Sequence, residues 1–234
     1  MRRYFLLLIS LLSVGFSFAQ NDPVADPDAV VTSGHVRFTV LTPQLIRIQY
    51  SPASKFEDRA TFAVVNRRLP VPEYTTRTEN NTLIIETSAL TLRYRVGTRP
   101  NASSKSPTNL SITFTLNGQE VVWYPGKEDA LNLRGTQRTL DGNAGSRSRD
   151  DLEQGIVSRS GWALIDESPT AVRGDGSRSF PMEPKEEGGM DWVASPIETN
   201  SIDWYFFGYG HDYRQAVSDY TKIGGNIPLP PAYL

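Results

Sequence analysis

Apolar residues fall at every second position in run after run of this chain, and that period limits the fold more than any other feature. In "HVRFTVLTPQLIRIQYS" (residues 35–51), Val36, Phe38 and Val40 share one face, with Arg37 and Thr39 on the other. After Thr42-Pro43-Gln44, Leu45 to Tyr50 reads as a second strand. Period-two runs bounded by turn residues predict half-buried strands. Further runs are Ala60 to Asn66, two in "NTLIIETSALTLRYRV" separated near Thr87-Ser88-Ala89, Trp162 to Asp166 and Ile202 to Tyr209. "LSITFTLNGQEVVWYP" predicts a hairpin, because Asn117-Gly118 favours the positive φ angles of a tight turn. So many short strands, with almost no helical period before residue 211, predict an antiparallel β-sandwich.

One helix is expected at the end. Asp212 and Gln215 form a D-x-x-Q capping box, and Tyr213, Ala216, Val217 and Tyr220 make one apolar stripe. Gly224-Gly225 stops it, and Pro228, Pro230 and Pro231 then favour an extended connector. Residues 126–155 and 171–190 are polar and irregular, either functional loops or surface insertions.

The first stretch has the parts of a signal peptide. Arg2 and Arg3 are followed by the apolar run Tyr4–Val14, with Ser17 and Ala19 before a cleavage point. The expected organisation is a signal peptide at 1–19, a flexible lead at 20–34, a sandwich at 35–210, and a helix with linker at 211–234. Export to the periplasm or cell exterior follows, with no membrane association once the signal is cut. The run is shorter than the ~20 residues a spanning helix needs. The chain has no cysteine, so an exported fold must stand on its own core. A net charge of −2 and the lack of a basic block argue against nucleic acid as a partner.

Chemistry is harder to find. The chain has no phosphate-binding glycine loop, no H-E-x-x-H and no G-x-S-x-G. No cofactor or metal is expected. Its two histidines, His35 and His211, flank a strand and a helix cap and read as structural. Asp166 and Glu167 are neighbours on a strand, so they point to opposite faces and make no acid/base pair. Aromatics such as those of "DWYFF" fit either a sugar-stacking platform or a strand core.

Three segments go further. "NLRGTQRTLDG" (132–142), "LEQGIVSRSGWALIDES" (152–168) and "DWYFFGYGHDYRQAVSDYTKIGGNIPLPPAYL" (203–234) resemble, in that order, the N-terminal domain of glycoside hydrolase family 31, which holds α-glucosidases and α-xylosidases. The likeness extends over about residues 35–234, with strong motifs only after residue 131. Arg134-Gly135-Thr136, Val157-Ser158-Arg159 and Asp166-Glu167-Ser168 depart mildly from the family pattern. The resemblance implies a galactose-mutarotase-like sandwich packed on a (β/α)8 barrel that follows the proline connector. It implies that a retaining enzyme's nucleophile and acid/base lie in that barrel, with carboxyls ~5–5.5 Å apart. Neither motif occurs here, so no catalytic residue is expected in residues 1–234, and the chain reads as a fragment whose connector leads into the barrel. The implied partners are an α-glucoside or α-xyloside substrate and that barrel. A loop of this domain shapes the family's substrate pocket, which makes Arg138 and Asp141 the candidate sugar contacts. The other reading is that Asp141-Gly142 is a turn and Arg138 pins its own loop. A stand-alone carbohydrate-binding sandwich remains the alternative function. A mutarotase-like epimerase would need a histidine and a carboxylate in one pocket, and the placing of His35 and His211 speaks against it.

Overall fold

The structure is a computed structural model that describes residues 22–135, 152, 154–169, 181–183 and 192–225. Twelve strands and one helix follow in order: β1 (Val30–Ser33), β2 (Val36–Thr42), β3 (Leu45–Tyr50), β4 (Tyr74–Glu79), β5 (Thr82–Thr87), β6 (Leu90–Arg95), β7 (Leu110–Leu116), β8 (Gln119–Trp123), β9 (Ala163–Asp166), β10 (Met182–Glu183), β11 (Trp192–Val193), β12 (Ile202–Phe207) and α1 (Tyr213–Gly224). The first sheet has the order β1-β2-β3-β12-β9, and the second is the meander β4-β5-β6-β7-β8. All pairings within the two sheets are antiparallel. The mainly β sandwich expected from the alternation is the fold observed.

The core follows the period of two. Val36, Phe38, Val40, Ile46, Ile48 and Phe206 of the first sheet meet Ile85, Leu92, Ile112, Phe114 and Trp123 of the second in one buried cluster. Trp123 packs against several rings of this cluster, lying 4.9 Å from Phe206 and 6.3 Å from Trp162 between centroids. The expected hairpin is present: Asn117 and Gly118 take φ values of 52° and 78°, and β7 pairs β8 from Leu116↔Gln119 outward. Positive φ at both turn positions matches the twist of the two strands.

Four expectations are corrected. The inner strands β2, β3 and β12 of the first sheet are not half-buried. Thr39, Arg47 and Gln49 are as inaccessible as the apolar residues beside them, because segment 51–70 and α1 cover the sheet's outer face. Ala60 to Asn66 is not a strand. Thr61 N–H donates to the Val64 carbonyl and Val64 N–H to Thr61 Oγ1, which turns the chain there. The stretch then hangs on the helix end through Val65 N–H and Asn66 N–H, both donating to the Ile223 carbonyl. The lead at 20–34 holds an edge strand, since Val30–Ser33 pairs with β2. In α1, Asp212 caps by accepting from Gln215 N–H at 3.1 Å, but the Gln215 amide donates to Asp219 instead of closing a reciprocal box. Val217 is exposed, and the buried stripe is Ala216, Asp219 and Ile223.

A carboxylate in that stripe is held by three donors: Tyr209 Oη at 2.8 Å, Gln215 Nε2 at 3.0 Å and Lys222 Nζ at 2.6 Å. Burial pushes its pKa up, but the bonds from Lys222, Gln215 and Tyr209 outweigh this and leave it below the ordinary value. A carboxylate whose folded pKa is depressed stabilises the fold above its unfolded pKa and loses that contribution as pH falls through the folded one. The stability gap between the native chain and Asp219→Asn is therefore expected to be full above about pH 4 and to shrink below it. Urea titrations of both proteins at stepped pH measure it, and a gap that widens in acid contradicts the assignment.

Candidate functional site

The three family-like segments meet at one place. Its centre is Asn132, fully buried. Asn132 Nδ2 donates to Asp129 Oδ2 and to the Gly155 carbonyl, both at 3.0 Å. Its Oδ1 accepts from Arg134 N–H and Gly155 N–H, both at 2.8 Å. Asp129 Oδ1 in turn accepts from Ser158 Oγ at 2.8 Å. A short ladder reinforces the side chains: Leu133 N–H donates to the Val157 carbonyl and Arg159 N–H to the Leu131 carbonyl. Gly155 is required by this contact, because a Cβ there would stand 2.8 Å from the Arg134 carbonyl oxygen. Arg134 sits at φ 68°, a left-handed turn that bends the chain away from the ladder.

The third segment joins from the other side. Gly210 N–H donates to the Gly161 carbonyl at 2.9 Å, and His211 Nε2–H donates to the Arg159 carbonyl at 3.0 Å. The segments 132–135, 154–161 and 208–212 thus form one junction beneath the start of β9. Asn132 meets two acceptors and two donors with one amide, which is why an amide rather than a carboxylate stands there. The arrangement can hold the two stems of an intervening loop at a fixed separation. Arg138 and Asp141, the expected sugar contacts, lie outside the described residues, as do residues 226–234 and the signal segment.

The other expected positions are accounted for. His35 Nδ1 lies 2.9 Å from Ser54 Oγ, and both histidines are exposed and bound to local partners. Glu167 is buried and accepts from Thr61 Oγ1, while Asp166 Oδ1 accepts from Ser168 N–H at 2.9 Å, so the two neighbours serve different surroundings. Among the described residues no three His, Asp or Glu side chains are grouped to hold a metal ion, and no helix is long and apolar enough to cross a membrane.

Sequence reasoning missed a charged network on the covered face of the first sheet. Arg47 donates from Nε and Nη2 to the two oxygens of Asp203 at 2.8 and 2.6 Å. Gln49 Nε2 adds a bond to Asp203 at 3.2 Å, and Arg47 Nη2 also donates to the Glu57 carbonyl at 2.7 Å. Beside them Arg67 Nε donates to Tyr205 Oη at 2.6 Å. Burial works against the Arg47 charge, but Asp203 and the other acceptors overcome it and keep the guanidinium protonated. Burial pushes the Tyr205 hydroxyl up to about 12 despite Arg47 and Arg67, so it stays neutral and serves as an acceptor for Arg67. The network fastens segment 51–70 to the sheet, and its members Gln49, Glu57 and Asp203 also line a small cavity beside Thr61 and Glu167.

No family model and no curated protein matches this sequence. Among solved structures, the chain is similar to a GH31 dextranase of Flavobacterium johnsoniae complexed with glucose, at a TM-score of 0.39 and 16% identity over 86% of this chain. A mutant of that dextranase complexed with isomaltotriose gives 0.38 and 15%, again over 86% of this chain. The chain spans 27% of the length of each. Likeness at this level carries no argument about activity.

Proposed function

We propose that this chain is the N-terminal β-sandwich portion of an exported retaining α-glycosidase of glycoside hydrolase family 31, acting on α-glucosides or α-xylosides. The observation that supports the reading is the junction at Asn132. Three sequence segments were singled out for their likeness to one family, and hydrogen bonds bring all three together. Unrelated chance matches would have no reason to meet through a continuous set of hydrogen bonds. In this reading the sandwich does no bond chemistry. It holds the stems of the 136–151 loop so that Arg138 and Asp141 can hydrogen-bond sugar hydroxyls at the mouth of a barrel. The nucleophile and the acid/base are carboxylates of that barrel, as retaining hydrolysis requires.

Two measurements test it. The purified chain is expected to release no product from aryl α-glucosides or α-xylosides, and steady turnover by the chain alone would overturn the division of labour. The coding sequence that follows residue 234 in the genome is expected to carry a W-x-D-M-N-like motif. A natural stop there, together with glycan binding, would favour the stand-alone binding module instead.

A further inference from the structure

We propose that the end of the sandwich where β9 finishes is a binding groove for a neutral oligosaccharide. It lies at the opposite end of β9 from the Asn132 junction. The first clue is a break in the pattern. Leu164 pairs with Phe206 and Asp166 with Trp204 across β9 and β12. Leu164, Trp204 and Phe206 all pack into the core between the sheets. The period of two puts Asp166 on that same inward face, which the neighbouring strands β12 and β3 line with Trp204, Phe206, Ile46 and Ile48. A carboxylate there is a local violation of the rule that builds the sandwich, and such violations gather at functional positions.

The second clue is what faces it. The segment after β6 brings Arg99 and Asn101, both exposed, to the opposite wall. Arg99 Nη1 donates to Asn200 Oδ1 at 3.1 Å, and its guanidinium lies 5.3 Å over the Tyr50 ring, which fixes its direction. Its other N–H groups have no partner among the described residues. The same holds for the Asn101 side-chain amide and for the second oxygen of Asp166. Between the walls is an open groove of about 670 Å³, with Trp204 and Ile202 on its floor. That size suits a few sugar units.

The chemistry selects the ligand. A half-buried indole offers an apolar surface to the C–H face of a pyranose. An acceptor-only carboxylate, a donor-only guanidinium and an amide that does both suit vicinal hydroxyls, each of which donates and accepts. One charge of each sign faces the space. An acidic sugar would meet Asp166 and a cationic ligand would meet Arg99, so a neutral glycan is the class that uses both.

Calorimetric titration of the chain with maltoheptaose, cellohexaose and xylohexaose, against an oligogalacturonate of similar length, tests this. At least one neutral glycan is expected to bind saturably and the acidic one not to bind. Arg99→Ala and Asp166→Asn are each expected to weaken that binding about ten-fold, as loss of a charged hydrogen-bond partner does, with an unchanged melting temperature. Asn101→Ala, an exposed change with no fold contact to lose, supplies the same test should Asp166→Asn fold poorly. Absence of binding by every neutral glycan at about 10 mM, stronger binding of the acidic one, or undiminished affinity in Arg99→Ala and Asn101→Ala overturns the proposal. Calorimetry needs no turnover, so its result is separate from that of the hydrolysis assays.

Discussion

Arg47→Met is expected to destabilise the chain by about 3–5 kcal/mol, lowering its melting temperature by roughly 6–20 °C for a domain of this size. The reason is what the substitution leaves behind. Arg47 and Asp203 are 1% and 5% exposed, and the pair is bidentate. With the guanidinium gone, Asp203 keeps only Gln49 Nε2 at 3.2 Å as a side-chain donor. A buried carboxylate without its counter-charge must either stay ionised at high cost or take up a proton. The Glu57 carbonyl also loses the Arg47 Nη2 donor, so segment 51–70 loosens along with the pair. The double variant Arg47→Met with Asp203→Leu separates the pair's strength from the penalty of orphaning one member. Replacing both charges with apolar groups of similar volume is expected to recover most of the loss, because desolvation offsets most of a buried pair's attraction. Urea unfolding of the two single variants and the double one gives the cycle. A single-variant cost below about 1 kcal/mol would mean that water reaches the pair and that segment 51–70 is not a cover.

These two residues show where a sequence stops being legible. In β2 the apolar positions Val36, Phe38 and Val40 announce their face, and the structure buries all three. The same rule reads Arg47 in "LIRIQY" and Asp203 in "IDWYFF" as solvent-facing. They do point to the outer face, but that face is covered, and only the register Tyr205↔Arg47 and Asp203↔Gln49 reveals that the charges are neighbours. Nothing local to either strand carries that information, since 156 residues separate the partners. β4 fails for the opposite reason. Tyr74–Glu79 has almost no buried side chain, so it lacks the alternation that marks a strand. It forms because its backbone pairs with β5, aided by the surface ion pair of Arg77 with Glu86. Ala60 to Asn66 has the composition of a strand but pairs only through the single bridge Thr61↔Pro181 among the described residues, and its buried Val64 drops into the layer beneath α1. Of the candidate site, the segments were visible through their resemblance, whereas their meeting at Asn132 required the fold.

Asn132→Ala is expected to cost about 2–4 kcal/mol and, unlike Arg47→Met, to spend most of it locally. One of the amide's bonds goes to the buried Asp129 and three go to half-buried backbone groups, and each buried group left unpaired costs about 1–3 kcal/mol before relaxation. The alanine leaves Arg134 N–H and Gly155 N–H without the oxygen they share, and Gly155's close approach to the Arg134 carbonyl loses the clamp that holds it. The two stems are then joined, among the described residues, by the ladder bonds of Leu133 and Arg159, by Ser158 Oγ on Asp129 and by Arg134 Nη1 on the Leu152 carbonyl. Hydrogen exchange distinguishes this from general weakening. The amides of Leu133, Arg134, Gly155 and Arg159 are expected to exchange at least ten-fold faster, while those of β5, β6 and β7 change only in proportion to global stability. Asn132→Asp is the sharper probe. It keeps the acceptor toward Arg134 and Gly155 but turns the donor toward Asp129 and the Gly155 carbonyl into a second acceptor, placing two carboxylates at the separation of a hydrogen bond. One of the pair must then protonate, so the variant is expected to be weakest at neutral pH and to recover as the solution is acidified. A pH-independent loss in Asn132→Asp would show that Asp129 faces water rather than the amide. The junction would then lack the buried amide–carboxylate contact that joins residues 129–134 to residues 155–158.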